Sequence, residues 1–251
     1  MSASSYSRDE HIPQLPGTMT DRVPAAGPDG SRLALVYRGP ASLPGCPEAV
    51  AQLLRRSRWN LDVQYVGPRE VRRLSPDTLA AATIYAQPGG GELDRAYRKL
   101  RHDAAAIRAY VRSGGRYLGF CLGGYLAGET PGFGLLPGDT DQYISSSGSG
   151  TTTDRDTVVE VLWRGRPRAV FFQDGPWFDL DPRRGPAEVL AVYGNGLPAA
   201  VVTPYGQGTV GVVGPHPEAT ADWFDDAGLR RPEPLALDLG LELVDRVMGA
   251  A

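Results

Sequence analysis

Apolar and polar positions change rhythm along this chain so that short strands alternate with longer helices. Strands are predicted at Leu33–Tyr37, Leu61–Val66, Thr83–Ala86 and Tyr117–Phe120, the last an unbroken apolar run. Runs of this kind are normal where helices cover both faces of a sheet. Pro47–Ser57 carries proline in its first turn and predicts a helix. Leu93, Ala96, Tyr97, Leu100, Ala104, Ile107 and Val111 recur at helical spacing, which predicts one helix over Leu93–Ser113 ending at Gly114-Gly115. The alternation implies an α/β fold with a mostly parallel sheet flanked by helices.

The rhythm then shifts. Thr157–Trp163 and Arg168–Phe172 predict two strands joined by a turn containing Gly165, and further strands are expected at Val189–Tyr193, Ala199–Thr203 and Thr209–Val213. Together they predict an antiparallel extension of the sheet. Ser145–Thr153 is small and polar, a surface loop in preference to a lid over a site. Gln173–Phe178 reads as a tight turn that sets two aromatics beside Asp174, either core aromatics or a substrate-facing loop. Residues 1–30 lack periodicity and are rich in Ser, Pro, Gly, Asp and Arg, which predicts a disordered tail before a single domain over residues 31–251.

Composition narrows the chemistry. The 251 residues are 41% hydrophobic with a net charge of −3, enough to bury a core and offering no basic field for nucleic acid or an anionic membrane surface. Lys99 is the only lysine, so a Gly-Lys-Ser/Thr phosphate loop is excluded and a lysine Schiff base could involve only that helical position. Two cysteines make neither a disulfide framework nor a four-ligand zinc site without several histidines. No apolar run approaches the length of a membrane span and no basic-then-apolar leader opens the chain, so the expectation is a cytoplasmic protein without cofactor or metal.

The candidate chemistry lies in two islands. In Gly119-Phe120-Cys121-Leu122-Gly123-Gly124 a cysteine stands between a strand and a helix, the layout of a nucleophile elbow, although a cysteine packed as a small hydrophobe would also suit the corner. The second island ends a strand with Gly214-Pro215-His216-Pro217-Glu218. Of three histidines, His11 falls in the tail and His102 in a charged helical stretch, which leaves His216 at a strand end where active-site loops sit. In an extended Pro-flanked segment residues two apart point the same way, so Glu218 can orient the His216 imidazole. A turn histidine and a helix-start carboxylate remain the alternative reading.

The glycine-flanked cysteine paired with a later His-Pro-Glu resembles the class I glutamine amidotransferase-like superfamily. More narrowly, Val36–Ser42, Gln87–Gly91, Val111–Cys121 and Gly214–Glu218 are similar, in order, to the amidotransferase-like domain of biotin-protein ligase N-termini and its free-standing bacterial forms. The resemblance implies a flavodoxin-like sheet, with Cys121 as nucleophile, His216 as base and Glu218 as its orienter. It also implies backbone N–H groups of Gly90 and Leu122 as an oxyanion hole. Gly89 and Tyr125, beside these motifs, and Asp174 and Trp177, in the Gln173–Phe178 turn, are the candidate substrate-binding residues. Glutaminase members usually carry glutamine four residues after the nucleophile, where this chain has Tyr125, so glutamine itself is in doubt as substrate. The residues after the His-Pro-Glu region read as helix and show no biotin ligase module, so biotin ligation is not expected.

The resulting expectation is a cysteine-dependent amide or acyl hydrolase or acyltransferase acting on a small molecule through an acyl-enzyme. The alternatives are a catalytically silent binding or regulatory module of the same fold and redox or carbonyl-adduct chemistry at the same cysteine. Cys46, before a helix start, is read as a loop thiol without a role, with a resolving partner for oxidised Cys121 as the other possibility.

Overall fold

In the computed structural model residues 30–249 are described, and the expected tail lies, apart from Gly30, outside them. The first half follows the predicted alternation. Strands β1 (Arg32–Tyr37), β2 (Leu61–Val66), β3 (Ile84–Gln87) and β4 (Arg116–Phe120) pair in parallel, with helix α1 (Cys46–Arg56) crossing between the first two. Helix α2 (Pro76–Ala80) precedes β3; Ser75 caps it by accepting from the Thr78 N–H, and proline occupies its first turn.

The predicted helix over Leu93–Ser113 is two helices, α3 (Leu93–Leu100) and α4 (Ala104–Arg112), separated by a turn at 101–103. The apolar stripe runs through the break because both halves bury the same face, so periodicity alone does not register it. His102 is exposed in that turn. Helix α5 (Leu122–Ala127) follows Cys121 directly, and a cross-over loop leads to β5 (Gly138–Gln142).

The expected antiparallel extension forms from β6 (Thr157–Trp163), β7 (Arg166–Phe172), β9 (Glu188–Tyr193) and β10 (Pro198–Tyr205), with β10 paired against β11 (Gly208–Val213). Arg164 and Gly165 form the two-residue turn between β6 and β7, with φ of 46° and 76°. Positive φ at both central residues is the geometry that follows the twist of a hairpin. Strand β11 returns beside β4 in parallel, giving the order β2-β1-β3-β4-β11-β10-β9-β6-β7. The sheet is therefore parallel across its first five strands and antiparallel beyond them. The segment read as a turn at Gln173–Phe178 turns only as far as Gly175 and continues as β8 (Pro176–Leu180), which pairs with β5 in a separate two-stranded sheet.

Alternation along β1 shows how the layers form. Ala34 and Val36 pack with Val50, Leu53 and Leu54 of α1 and with Leu243, Val244 and Val247 of α7 (Leu237–Met248). Leu35 and Tyr37 point to the opposite face and pack with Leu79, Leu100 and Ile107 from α2, α3 and α4. Helix α6 (Ala221–Asp226) lies outside both layers, with Phe224 buried against Phe171. No helix among the described residues is long and apolar enough to cross a membrane.

Candidate active site

The strand-to-helix corner at Cys121 is built by glycines on either side of it. Cys121 has φ 47° and ψ −105°, a positive φ that side chains rarely adopt. A Cβ on Gly119 would meet the Gly123 carbonyl oxygen at 2.4 Å, and one on Gly123 would meet the Gln87 carbonyl oxygen at 2.0 Å. The first turn of α5 therefore lies directly on the ends of β4 and β3, and a side chain at either position would drive it away. The Cys121 N–H donates to the Val213 carbonyl at 2.9 Å, which ties the corner to the end of β11.

That tie brings the second island beside the first. After β11 the chain runs through Gly214 and Pro215 to His216, whose N–H donates to Phe171 of β7 at 2.8 Å. The ring packs against Phe171 and Trp223, with centroids 6.0 and 5.2 Å away. Nδ1 of His216 and Oε1 of Glu218 are 2.8 Å apart, and the two side chains are 3% and 0% exposed. With Nδ1 engaged by Glu218, the ring is also close enough to the Cys121 sulfur for that sulfur to raise its proton affinity. Cys121 Sγ also lies 3.5 Å from the Gln173 carbonyl oxygen.

Burial alone would push the His216 imidazole down. Glu218, as a negative charge and hydrogen-bond partner, and the Cys121 sulfur, as a second negative charge, oppose it and raise it to about 10. The protonated ring is thus the form this enclosure holds. The second carboxylate oxygen of Glu218 has no hydrogen-bond partner among the described residues.

A cavity of about 420 Å³ opens over Cys121. Of the sequence-predicted residues, Gly90, Leu122, Tyr125 and Asp174 line it together with the cysteine. Gly90 and Leu122 are in close approach: a Cβ on Gly90 would fall 2.3 Å from Leu122 Cδ2. Neither N–H donates to another backbone carbonyl among the described residues. Gly89 lies behind the lining, where a Cβ would come within 2.8 Å of His216 Cε1 and 3.2 Å of Cys46 Sγ. Trp177, on β8 opposite Asp141, is also outside the lining.

Cys46 is the first residue of α1, buried next to the imidazole. Burial pushes its thiol up, with the charges of Glu218 and Cys121 adding to the effect. Ser145–Thr153 is pinned at the surface: Asn195 donates to Ser146 and Ser147, and Gly150 donates to the Tyr143 hydroxyl at 2.7 Å. The chain just beyond it reaches the cavity through Asp154. Sequence reasoning missed Glu92, Asp141, Gln142 and Asp154 as lining residues; they come from three separate segments and share no motif.

Residues 33–146 match the family model described as biotin-protein ligase, N terminal. Two curated relatives carry the name imidazole glycerol phosphate synthase subunit HisH. The one from Microcystis aeruginosa is 31% identical over 37% of this chain and 50% of its own length, and the one from Lacticaseibacillus casei is 28% identical over 60% of this chain and 73% of its own. The match thus spans half the length of the first relative. A solved glutamine amidotransferase is similar over 78% of this chain and 99% of its own, at TM-score 0.54 and 20% identity. A cytoplasmic protein of Salmonella typhimurium LT2 is similar over 86% of this chain and 99% of its own, at TM-score 0.51 and 13% identity. These two likenesses are of fold.

Proposed function

Because the chain belongs to the class I glutamine amidotransferase-like superfamily, we propose that it is a cysteine-dependent amide or acyl hydrolase or acyltransferase, with Cys121 as nucleophile, His216 as base and Glu218 as the group that orients and charges the imidazole. The observation that carries the reading is the buried 2.8 Å contact between His216 Nδ1 and Glu218 Oε1, with the Cys121 sulfur near enough to help hold the imidazole protonated. A thiol that needed no activation would not require a base enclosed with its own carboxylate.

In this reading the Cys121 proton already rests on the imidazole, and the thiolate of that thiolate–imidazolium pair attacks the substrate carbonyl carbon, forming a C–S bond. The oxyanion rests against the N–H groups of Gly90 and Leu122. Imidazolium returns the proton to the leaving nitrogen as the C–N bond breaks, and water or an amine then releases the acyl group from sulfur. No cofactor takes part. The HisH relatives are named as subunits of a synthase, which favours a companion protein that would use the released amine or the acyl group.

The test is the rate at which iodoacetamide labels Cys121, read by peptide mass against pH, in wild type and in His216→Ala. A rate that stays high well below the free-thiol value of about 8.5 and collapses in the variant is the expected result. An ordinary thiol profile that ignores His216 would overturn the reading and favour a binding module.

A further inference from the structure

Resting on that reading of Cys121, we infer that the substrate is a cationic amide or acyl compound, one carrying an ammonium or guanidinium group and no free carboxylate. Four carboxylates from four separate segments, Glu92, Asp141, Asp154 and Asp174, line the cavity over Cys121, and among the described residues no lysine, arginine or histidine side chain lines it with them. The cysteine fixes where the carbonyl must lie. The rest of the cavity fixes what charge the remainder of the substrate meets.

Three observations separate this from an ordinary acidic surface. First, carboxylates elsewhere are widely matched by arginine, of which the chain has 25: Glu70 with Arg38, Asp238 with Arg168, Asp245 with Arg58, Glu188 with Arg164 and Arg246, and Asp225 with Arg231. None of the four cavity carboxylates has an ion-pair partner of this kind among the described residues. Arg155, the cation nearest in sequence, lines a neighbouring depression that shares Asp154 and Gln173.

Second, Asp174 is held in place. Its two carboxylate oxygens accept from the single Gln142 Nε2 at 2.8 and 2.9 Å, and its backbone carbonyl accepts from the Tyr125 hydroxyl at 3.2 Å. A neutral amide bonded to both oxygens orients the carboxylate without neutralising it. Tyr125, four residues after Cys121, thereby acts on the loop that presents Asp174.

Third, the charges reinforce one another. Asp174 is raised by its partial burial and also by the like charges of Asp154 and Glu92, and Tyr125 is raised by burial and by Asp174 and Asp141. Carboxylates that repel across an open cavity are relieved by a cation placed among them, and a cleft lined by one sign concentrates the field. A substrate carboxylate would meet the same field as repulsion, with no cation among the described lining residues to receive it. A volume of about 420 Å³ suits a small molecule.

The experiment measures charge preference and nucleophilic reaction separately. Calorimetry on Cys121→Ala, which cannot form an acyl-enzyme, compares ω-guanidinohexanamide, hexanamide and the monoamide of adipic acid. The cationic amide should bind at least about tenfold more tightly than the neutral one, and the anionic amide more weakly than either. The preference should shrink in Cys121→Ala/Asp174→Asn, and in roughly 1 M salt, where charge interactions reach only about 3 Å. Equal or tighter binding of the neutral or anionic amide, or no binding of the cationic one, overturns the inference.

In wild type, the para-nitrophenyl esters of the same three acids are then compared by the rate of Cys121 acylation, located by peptide mass. Acylation without preference for the guanidino ester overturns the substrate class and leaves the nucleophile standing. No acylation by any ester, while Cys121→Ala still favours the cationic amide, overturns the nucleophile and leaves the charge selectivity standing.

Discussion

Gly89 and His216 are in such close approach that a Cβ at position 89 would stand 2.8 Å from the imidazole Cε1 and 3.2 Å from Cys46 Sγ. The ring cannot retreat freely, because Nδ1 is held by Glu218 and the far face packs on Phe171 and Trp223. Gly89→Ala should therefore tilt the imidazole away from Cys121. The expected outcome is a loss of at least about tenfold in Cys121 labelling at neutral pH and a stability cost of about 1–3 kcal/mol from overpacking. Labelling kinetics and thermal unfolding of the variant check both, and wild-type labelling in Gly89→Ala would show that the glycine serves packing alone.

The positions of the two islands were legible in the sequence because each obeys a local rule. Glycines flank the corner at Cys121, and prolines stiffen the segment that sets His216 and Glu218 on one side. The parallel strands were legible for the same reason, since Leu33–Tyr37 and Tyr117–Phe120 are apolar without interruption. Strand β5 was not. Gly138-Asp139-Thr140-Asp141-Gln142 has neither an apolar run nor alternation, and it is a strand only through its ladder with β8. That pairing carries Asp141 and Gln142 to the cavity wall, so one of the site's four carboxylates is placed by a tertiary contact the local pattern does not encode. The Ser75-Pro76 start of α2 was a readable cap that passed unread.

The proton on His216 should persist well above neutral pH. Its affinity in the fold, about 10, lies above the ordinary 6.5, so the folded protein holds the proton more tightly than the unfolded chain. The stability this contributes is complete below about pH 6.5 and is lost as pH climbs through about 10. The melting temperature of wild type relative to His216→Ala should fall over that window. In Cys121→Ser one of the two negative neighbours is gone, and imidazole resonances should titrate at lower pH than in wild type. Identical titrations in the two proteins would show that the sulfur exerts no charge on the ring.

Gly123→Ala tests how the corner is built. A Cβ there would stand 2.0 Å from the Gln87 carbonyl oxygen, and backbone on both sides leaves no flexible end to move. The helix α5 must shift off β3 and take Cys121 with it. The expected result is a loss of about 1–3 kcal/mol or more in stability, measured by denaturant unfolding, with Cys121 labelling reduced in the fraction that stays folded. An unchanged midpoint would mean that α5 is free to slide.

Glu218→Gln removes charge while keeping a side chain of the same shape beside Nδ1. In wild type the downward push of burial on His216 is overcome by Glu218 and Cys121 together; with the carboxylate gone, burial gains. The imidazole then loses its proton at lower pH, and the thiolate it pairs with loses its stabilising cation. The amide can also present its N–H₂ to Nδ1, which would favour the wrong tautomer of the ring. Both effects act in one direction, so Cys121 labelling at neutral pH should fall on the order of a hundredfold or more and approach wild type only as pH nears the free-thiol range of about 8.5. The melting temperature distinguishes this from collapse of the site, because the Glu218 oxygen without a partner makes a neutral side chain tolerable there. A variant that folds as wild type and labels as wild type at neutral pH would establish that Glu218 holds the ring without charging it.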